Sequence, residues 1–219
     1  MIAVIDYGAG NLASVRKGLE VAAGNVCRPS GAAPPSVRIT SDPEEIARAA
    51  AVVLPGVGHF GDAADNLRRR GLEGVVREAF QSYRPFLGIC VGLQLLFEGS
   101  EESPGVSGLA LIAGSVRRFA GNLKVPHMGW NQLALRKEHR VLDGLQDGTH
   151  AYFVHSFYPR PDDDQVTATV TDYGGEFCSS VAFGSVFACQ FHPEKSQRVG
   201  MRILESFVRY TLDARDPSH

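Results

Sequence analysis

PFLGICVGLQLLF, residues 85–97, is an apolar run broken by one cysteine that lies between two glycines. The part before Cys90 has the length and apolar character of a buried strand, and VGLQLLF (91–97) is typical of a helix that follows a strand. Glycines on both sides of such a junction allow a sharp turn that projects the intervening side chain, as in a nucleophile elbow. A buried packing cysteine is the alternative, because free cysteine is often a core residue.

The same succession of strand and helix recurs through the first half of the chain. Apolar strands are predicted at 2–6, at 37–40 and from residue 51 to a stop at Pro55, and a helical pattern follows each of them. Strands that are apolar throughout are typical of a parallel sheet that is covered on both faces. The sequence therefore predicts an α/β fold with an open, mostly parallel sheet flanked by helices.

The second half has a different pattern. Segments rich in Val, Thr and aromatic residues, such as VTATVTDY (166–173), are separated by Gly or Asp turns and predict additional antiparallel strands. A final helix is predicted over about 197–213. The Gly-, Pro- and Ser-rich segment 24–36 predicts a surface loop. No linker interrupts the chain, so we expect residues 1–219 to form a single domain.

Composition limits the classes of function. The 219 residues are 44% hydrophobic and 21% charged with a net charge of −2, which favours a globular domain and gives no reason to expect nucleic acid or an anionic membrane as partner. The N-terminus lacks a signal-peptide pattern and no apolar run is long enough to cross a membrane, so we expect a cytoplasmic protein. Four cysteines without a CxxC pair, and seven histidines without ligand spacing, predict neither a disulfide framework nor a metal site.

A second candidate segment is QFHPEKS (190–196). A strand ends at Phe191, and His192 and Glu194 follow on either side of Pro193. In an extended backbone residues two apart point the same way, so the Glu194 carboxylate can orient the imidazole of His192. A catalytic thiol needs such an oriented base to take up and return a proton. A surface turn with an unrelated histidine is the alternative.

The third candidate segment is PGVG (55–58) at the end of a strand. Glycines at this point allow a backbone amide, of Gly56 or Val57, to face a ligand or to flip. With the Val91 amide this would form an oxyanion hole, although an ordinary strand-to-helix turn has the same composition. Because the carboxyl ends of strands in an open α/β sheet line one ligand crevice, we expect the three segments to meet there.

The combination of PGVG, GICVGLQ and HPE resembles the class I (triad) glutamine amidotransferases. DYGAGNLASV (6–15) and VPHMGWNQL (125–133) are similar to the glutaminase subunits of imidazole glycerol phosphate synthases, which belong to histidine biosynthesis. The resemblance covers nearly the whole chain. VPHMGWN is the most specific motif for those subunits, whereas the Cys–His–Glu set is specific only for the superfamily.

The resemblance implies a flavodoxin-like sheet and a glutaminase activity. It assigns the catalytic roles to Cys90, His192 and Glu194, as nucleophile, acid/base and orienting carboxylate. No metal or cofactor is expected. The residues expected to bind glutamine or its oxyanion are Gly56, Val57, Val91, Gln94, Ser156 and Phe157.

The resemblance also implies a partner, a cyclase/synthase subunit with a (β/α)8 barrel that forms a heterodimer with the glutaminase and receives its ammonia. There the ammonia would help to convert a phosphoribosyl-carboxamide nucleotide into imidazole glycerol phosphate and an aminoimidazole carboxamide ribotide. The residues that match positions at or near this subunit interface are Asn11, Met128, Trp130, Asn131, Tyr152 and Lys195.

Three other assignments remain open. They are a glutaminase of the pyridoxal phosphate or anthranilate synthase type, a non-catalytic partner-binding member of the fold, and a cysteine hydrolase or redox sensor. The VPHMGWN motif argues against the first, the intact Cys–His–Glu set against the second, and Gln94 together with 125–133 against the third. Val91 and Leu93 stand where Leu and Met are usual, and Phe157 stands where Tyr is common, so a tyrosine hydroxyl is missing there.

Overall fold

Two sheets organise the computed structural model, which describes residues 1–121 and 123–214. Residues 122 and 215–219 of the predicted domain lie outside the described part. The strands are β1 (Ile2–Ile5), β2 (Val37–Thr40), β3 (Ala51–Leu54), β4 (Phe86–Ile89), β5 (Gly114–Arg118), β6 (His127–Leu135), β7 (Thr149–His155), β8 (Phe157–Pro161), β9 (Thr167–Asp172), β10 (Glu176–Phe183) and β11 (Val186–Cys189). The large sheet has the order β2-β1-β3-β4-β11-β10-β9-β6-β7, and β5 pairs with β8 in a separate ribbon.

Half of the large sheet is parallel. β1 pairs with β2 and β3, β3 with β4, and β4 with β11, all in parallel. The strands β1, β3, β4 and β11 are buried along their whole length, as expected for a sheet covered on both faces. The helices are α1 (Leu12–Cys27), α2 (Pro43–Ala47), α3 (Phe60–Arg69), α4 (Glu73–Gln81), α5 (Val91–Gln94) and α6 (Gln197–Asp213).

The other half of the sheet is antiparallel. β11 pairs with β10 in antiparallel orientation. The antiparallel pairing continues from β10 to β9, from β9 to β6 and from β6 to β7. The predicted α/β fold, with a parallel first half and added antiparallel strands, is therefore confirmed. β6 was not among the predicted strands, because it has no apolar alternation: its residues are mostly exposed or half-buried, and Gly129 within it has a φ of 129°.

The loop predicted over 24–36 is wrong at its start. Helix α1 continues to Cys27, and Arg28–Ser30 form a 3-10 turn before the irregular segment begins. Tertiary packing stabilises this extra turn, because the Cys27 side chain is buried and the Asn25 amide donates to the Glu205 carboxylate of α6 at 2.9 Å. These contacts outweigh the low helix propensity of Gly24.

The helix after Cys90 is shorter than the predicted span 91–97. It ends at Gln94, and the next carbonyl groups do not continue a helical ladder. Instead, the carbonyl oxygens of Leu95 and Leu96 accept from the amides of Leu109 and Leu111 at 2.7 and 2.8 Å. A distant segment of chain therefore takes the hydrogen bonds that another helical turn would have used.

The buried side chains of both halves form one continuous hydrophobic cluster, from Ile2 in β1 to Val208 in α6. The two long helices α1 and α6 pack on each other, and α2 packs on α4. None of the helices in the described part of the chain is long and apolar enough to cross a membrane.

Candidate active site

Cys90 occupies a strained turn between β4 and α5. Its backbone has a φ of 54° and a ψ of −111°, a region that few residues other than glycine adopt. The flanking glycines are required by close packing. A Cβ at Gly92 would lie 1.9 Å from the Leu54 carbonyl oxygen, and a Cβ at Gly88 would lie 2.7 Å from the Cβ of Ala188. The junction therefore has the geometry of a nucleophile elbow.

His192 and Glu194 follow β11, the strand next to β4. His192 Nδ1 donates to Glu194 Oε1 at 2.8 Å, and both side chains are buried. Neither His192 Nε2 nor Glu194 Oε2 has a hydrogen bond of normal geometry to any described residue. Because Nδ1 is engaged by the carboxylate, Nε2 is the ring atom available to the thiol. The order of groups is thiol, imidazole, carboxylate, as a nucleophile with an oriented base requires.

The protonation of His192 depends on its two partners. Burial lowers the pKa of the imidazole, but its interactions with the Cys90 sulfur and with the Glu194 carboxylate outweigh burial and raise the pKa to about 9. The ring is therefore an imidazolium at neutral pH and carries a proton on Nε2. An imidazolium beside the thiol can give its proton to a leaving group, which suits covalent catalysis.

The PGVG loop lies against the same turn. The carbonyl oxygen of Gly56 accepts a hydrogen bond from the Val91 amide at 3.3 Å. The Tyr7 hydroxyl, which is fully buried, donates to the carbonyl of Pro55 at 2.7 Å. In this arrangement the Val91 amide is already paired, and the loop presents to it a carbonyl rather than the predicted amide donor.

Gln94 lies in the last position of α5 and is buried. Its amide nitrogen donates to the Phe157 carbonyl at 3.2 Å and to Gln190 Oε1 at 3.0 Å. Both amide hydrogens are thus used inside the protein, and the carbonyl oxygen is left to meet a ligand. Gln190, which sequence reasoning missed, also donates to Cys90 Sγ at 3.5 Å. Gln190 stands two residues before His192. The i, i+2 spacing that predicted the contact between His192 and Glu194 could therefore also have identified Gln190 as a residue of the site.

These groups surround a cavity of about 180 Å³. Glu102 and His155 also lie in its wall, and neither was predicted. No local pattern marks Glu102, which lies in an irregular segment and accepts from the Phe60 amide at 2.8 Å. Gly56 and Glu194 contact the lining rather than belong to it. The predicted residues that line the cavity are Val57, Cys90, Val91, Gln94, Ser156, Phe157 and His192.

Residues 4–210 match the family described as glutamine amidotransferase class-I. The chain belongs to the class I glutamine amidotransferases. The family predicted from the motifs is thereby confirmed, and the match extends over both halves of the sheet. Its members are enzymes, so the cavity at Cys90 is the candidate active site of an amidotransferase.

Curated relatives of this amidotransferase carry the name imidazole glycerol phosphate synthase subunit HisH. The relative from Thermococcus kodakarensis is 50% identical over 214 residues, which is 95% of this chain and 100% of the relative. The relative from Moorella thermoacetica is 45% identical over 218 residues, with 100% and 99% coverage. Identity and coverage at this level place the amidotransferase in the HisH family.

Solved structures have the same fold. One described as a glutamine amidotransferase aligns with a TM-score of 0.68 at 18% identity, over 96% of this chain and 99% of that chain. The glutaminase domain of Trypanosoma brucei CTPS with bound acivicin aligns with a TM-score of 0.64 at 14% identity, over 97% and 93%. At these identities the likeness concerns the fold alone.

Most of the residues predicted for a partner interface of the amidotransferase lie near the segment that carries His192 and Glu194. Met128 and Trp130 are 62% and 46% exposed, on the same side of β6. Trp130 pairs across the strands with Tyr152, and the rings lie 6.1 Å apart, edge to face. The Tyr152 carbonyl accepts from the His192 amide at 2.9 Å. The backbone of Tyr152 therefore links the aromatic pair to His192.

Two other predicted interface residues contact the triad loop, and a third points elsewhere. Asn11 Nδ2 donates to Glu194 Oε1 at 2.6 Å, and the Lys195 amide donates to the His192 carbonyl at 3.0 Å, with the Lys195 side chain exposed. Asn131 is on the other side of β6 from Trp130, and its amide donates to the Asp172 carbonyl at 2.8 Å.

The other thiols of the amidotransferase are buried packing residues. Burial raises the pKa of Cys178 to about 12 and raises that of Cys189 well above its usual value. No group of three or more metal-binding side chains occurs among residues 1–121 and 123–214. A larger surface groove of about 1080 Å³, between Arg136, Arg160 and Glu176, contains none of the predicted site residues.

Proposed function

We propose that this chain is the glutaminase subunit of an imidazole glycerol phosphate synthase. It hydrolyses glutamine through Cys90, His192 and Glu194 and supplies ammonia to a synthase partner. One observation carries the proposal: the buried His192–Glu194 pair lies at the carboxyl edge of β11, beside the strained Cys90 elbow, and His192 and Cys90 line one cavity. The names of the relatives support the same assignment.

The first half of the reaction forms a thioester. The Cys90 thiolate attacks the carboxamide carbon of glutamine, and the electron pair of the C=O double bond moves to the oxygen. When this oxyanion collapses, the C–N bond breaks, and the leaving nitrogen takes the proton from His192 Nε2. Ammonia departs, and a glutamyl thioester remains on Cys90. The raised pKa of His192, about 9, keeps that proton in place at neutral pH.

The second half releases glutamate. The now neutral Nε2 of His192 takes a proton from water as the water oxygen attacks the thioester carbon. Collapse of the second tetrahedral intermediate breaks the C–S bond, which regenerates the Cys90 thiolate and the His192 imidazolium. Glu194 stabilises the positive ring throughout and holds Nδ1 as its donor.

The cavity provides groups for each end of glutamine. The free carbonyl oxygen of Gln94 accepts from a donor of the substrate, because both of its amide hydrogens are already used. The carboxylate of Glu102 suits the α-ammonium group. Backbone of Ser156 and Phe157, which lines the cavity, positions the remaining polar atoms.

Turnover requires an oxyanion hole, and the PGVG loop regulates it. In the structure the Val91 amide donates to the Gly56 carbonyl, so this amide is not free to bind an oxyanion. Rotation of the peptide between Gly56 and Val57 turns that carbonyl away and brings the Val57 amide toward the oxyanion. Two amides then hold the developing charge, and each such donor is worth about 10²–10³ in rate. Coupling this rotation to the partner prevents wasteful glutamine hydrolysis.

The partner is a cyclase/synthase subunit with a (β/α)8 barrel that forms a heterodimer with this chain in the cytoplasm. The exposed Met128 and Trp130, with Asn11, Tyr152 and Lys195 nearby, form its docking face. Ammonia passes to the barrel without release to solvent and is incorporated there into imidazole glycerol phosphate. The glutaminase acts as one domain over its whole length.

Glutamate release from glutamine, measured with and without the candidate barrel subunit, tests the proposal. We expect hydrolysis that is strongly stimulated by the partner and its nucleotide substrate. A chain that binds the barrel but releases no glutamate under any condition would be a non-catalytic member of the fold. Stimulation by a pyridoxal phosphate or anthranilate synthase subunit instead would support one of those alternatives.

A further inference from the structure

Gln190 is a fully buried polar residue that the mechanism above does not use. It follows β11 and lies between the nucleophile and the substrate-binding amide, with Cys90 on one side and Gln94 on the other. We propose that Gln190 donates a hydrogen bond to the Cys90 thiolate and, through the other end of the same amide, holds Gln94 in its substrate-binding orientation. This inference rests on the proposed glutaminase function.

The Phe157 carbonyl, which can only accept a hydrogen bond, fixes the orientation of the side-chain amides of Gln94 and Gln190. The Phe157 carbonyl lies 3.2 Å from Gln94 Nε2, so the nitrogen of Gln94 must point toward it. The second hydrogen on that nitrogen goes to Gln190 at 3.0 Å, which requires an oxygen there. The nitrogen of Gln190 therefore faces Cys90 Sγ, at 3.5 Å. A flip of the Gln94 amide would place its oxygen against two acceptors, and a flip of the Gln190 amide would place two donors against each other.

The backbone around Gln190 is fixed on both sides. Its amide donates to the Ser179 carbonyl at 2.9 Å, and the His192 amide donates to the Tyr152 carbonyl at 2.9 Å. Gln190 and His192 lie two residues apart in the segment that follows β11, and Gln190 reaches the Cys90 sulfur from there. A donor held in this way needs little reorganisation when the sulfur becomes charged.

Other donors to the sulfur are few. Helix α5 has only four residues, so its dipole offers the thiolate little. The Val91 amide is occupied by the Gly56 carbonyl. Cys90 is 4% exposed, so little water reaches it. A hydrogen bond to a buried anion is stronger than one between neutral groups, and its loss favours the neutral thiol.

Alkylation of Cys90 by iodoacetamide as a function of pH, in the chain purified with its barrel partner, measures the thiolate directly. Mass spectrometry of the Cys90 peptide separates it from the other three thiols. In Gln190→Met we expect the midpoint of the alkylation profile to rise by about one pH unit, which is about tenfold slower labelling at neutral pH. The KM for glutamine should also rise, because Gln94 loses its acceptor.

Gln190→Glu separates the two roles. Its carboxylate still accepts from Gln94, so the KM should stay within about twofold of the wild type, but it places a negative charge beside the sulfur. We expect an alkylation midpoint at least as high as that of Gln190→Met. Gln165→Met, at an exposed position after β8, is the matched control and should leave both readouts unchanged.

Circular dichroism and thermal unfolding establish that each variant is folded. If Gln190→Met does not fold, an alkylation midpoint of the near-isosteric Gln190→Glu that equals the wild-type value still overturns the thiolate role. Folded variants whose alkylation midpoints equal that of the wild type would overturn the inference, even with normal glutaminase activity in the wild type. A wild-type complex without glutaminase activity would instead overturn the proposed function, and the alkylation profiles would still report on Gln190.

Discussion

The Val91 amide donates to the Gly56 carbonyl at 3.3 Å, so the backbone donor beside the nucleophile is paired with the loop that should help it bind an oxyanion. The loop is held from the other side by Tyr7, whose hydroxyl donates to Pro55. A Cβ at Gly56 would lie 2.5 Å from that hydroxyl and 2.9 Å from the Gly92 amide nitrogen. If the proposed mechanism holds, this arrangement closes the oxyanion position, and we expect the Tyr7 hydrogen bond to keep it closed.

Tyr7→Phe should raise the glutaminase activity of the chain without its partner and reduce the stimulation by the partner. The variant removes the hydroxyl that holds Pro55, so the adjacent peptide rotates more easily. Leaving the buried carbonyl unpaired should lower the free energy of unfolding by about 1–3 kcal/mol. Glutamate release and urea unfolding measure the two effects. Lower unstimulated activity would mean that Tyr7 supports the active loop conformation instead.

Cys90→Ala should lower glutamine-dependent synthesis by at least about 10³-fold while synthesis from added ammonia survives in the complex. The reason is that the thioester cannot form, whereas the barrel and the docking face are intact. Cys27→Ala, which alters a buried thiol in α1, is the control and should retain both activities. Loss of both activities in Cys90→Ala would indicate a structural role for this thiol.

Glu102→Gln should raise the KM for glutamine by about tenfold or more with a smaller change in kcat. The substitution removes the negative charge opposite the α-ammonium group, and the amide oxygen still accepts from the Phe60 amide. Steady-state kinetics of the complex measures the split between KM and kcat. An unchanged KM would place the α-ammonium group elsewhere in the cavity.

His155 should make the protein less stable in mild acid. Burial lowers the pKa of His155 to about 3; the hydrogen bond to the Phe157 carbonyl opposes this only in part, and His127 and His192 add to it. In the unfolded chain the pKa is about 6.5. Below that value the unfolded state binds the extra proton, so stability present at neutral pH is lost as pH falls.

His155→Gln tests this assignment. The free energy of unfolding of the wild type should fall more steeply between about pH 7 and pH 4.5 than that of the variant, by on the order of 2 kcal/mol. Urea unfolding at several pH values gives the slope of the free energy of unfolding against pH for each protein. The carboxylates are common to both proteins, so their contribution cancels in the difference between the two slopes. Parallel curves would mean that the pKa of His155 is not lowered in the folded protein.

Trp130→Ala should weaken binding to the barrel partner by about 30-fold or more, with less than about 1 kcal/mol of lost stability. The indole is 46% exposed and packs on Tyr152, so its removal affects a surface more than the core. Tyr83→Ala is the control, because Tyr83 is 96% exposed and precedes the amino end of β4, whereas His192 follows the carboxyl end of the parallel neighbour β11. Isothermal titration calorimetry and urea unfolding give the two quantities; equal losses in both variants would argue against Trp130 as an anchor.

Much of the fold was predictable because short-range patterns carry it. The fully apolar strands β1, β3 and β4, and the helix Gln197–Asp213, follow from apolar runs and helical periodicity. The turn at Cys90 was predictable because close backbone packing requires glycine at both Gly88 and Gly92. Where distant segments supply the hydrogen bonds, local patterns failed: they gave too long a helix after Cys90 and too early an end for α1.

The amino-acid sequence by itself determined the family of this protein through its motifs, and it predicted a thiol, an imidazole and a carboxylate at positions that an α/β sheet brings to one edge. The tertiary structure alone decided the state of these groups. It placed the Gly56 carbonyl on the Val91 amide, brought Glu102 into the cavity and joined Gln190 to both Cys90 and Gln94. The reason is physical, because such contacts join residues distant in sequence and depend on which amide or carbonyl the folded backbone turns toward the site.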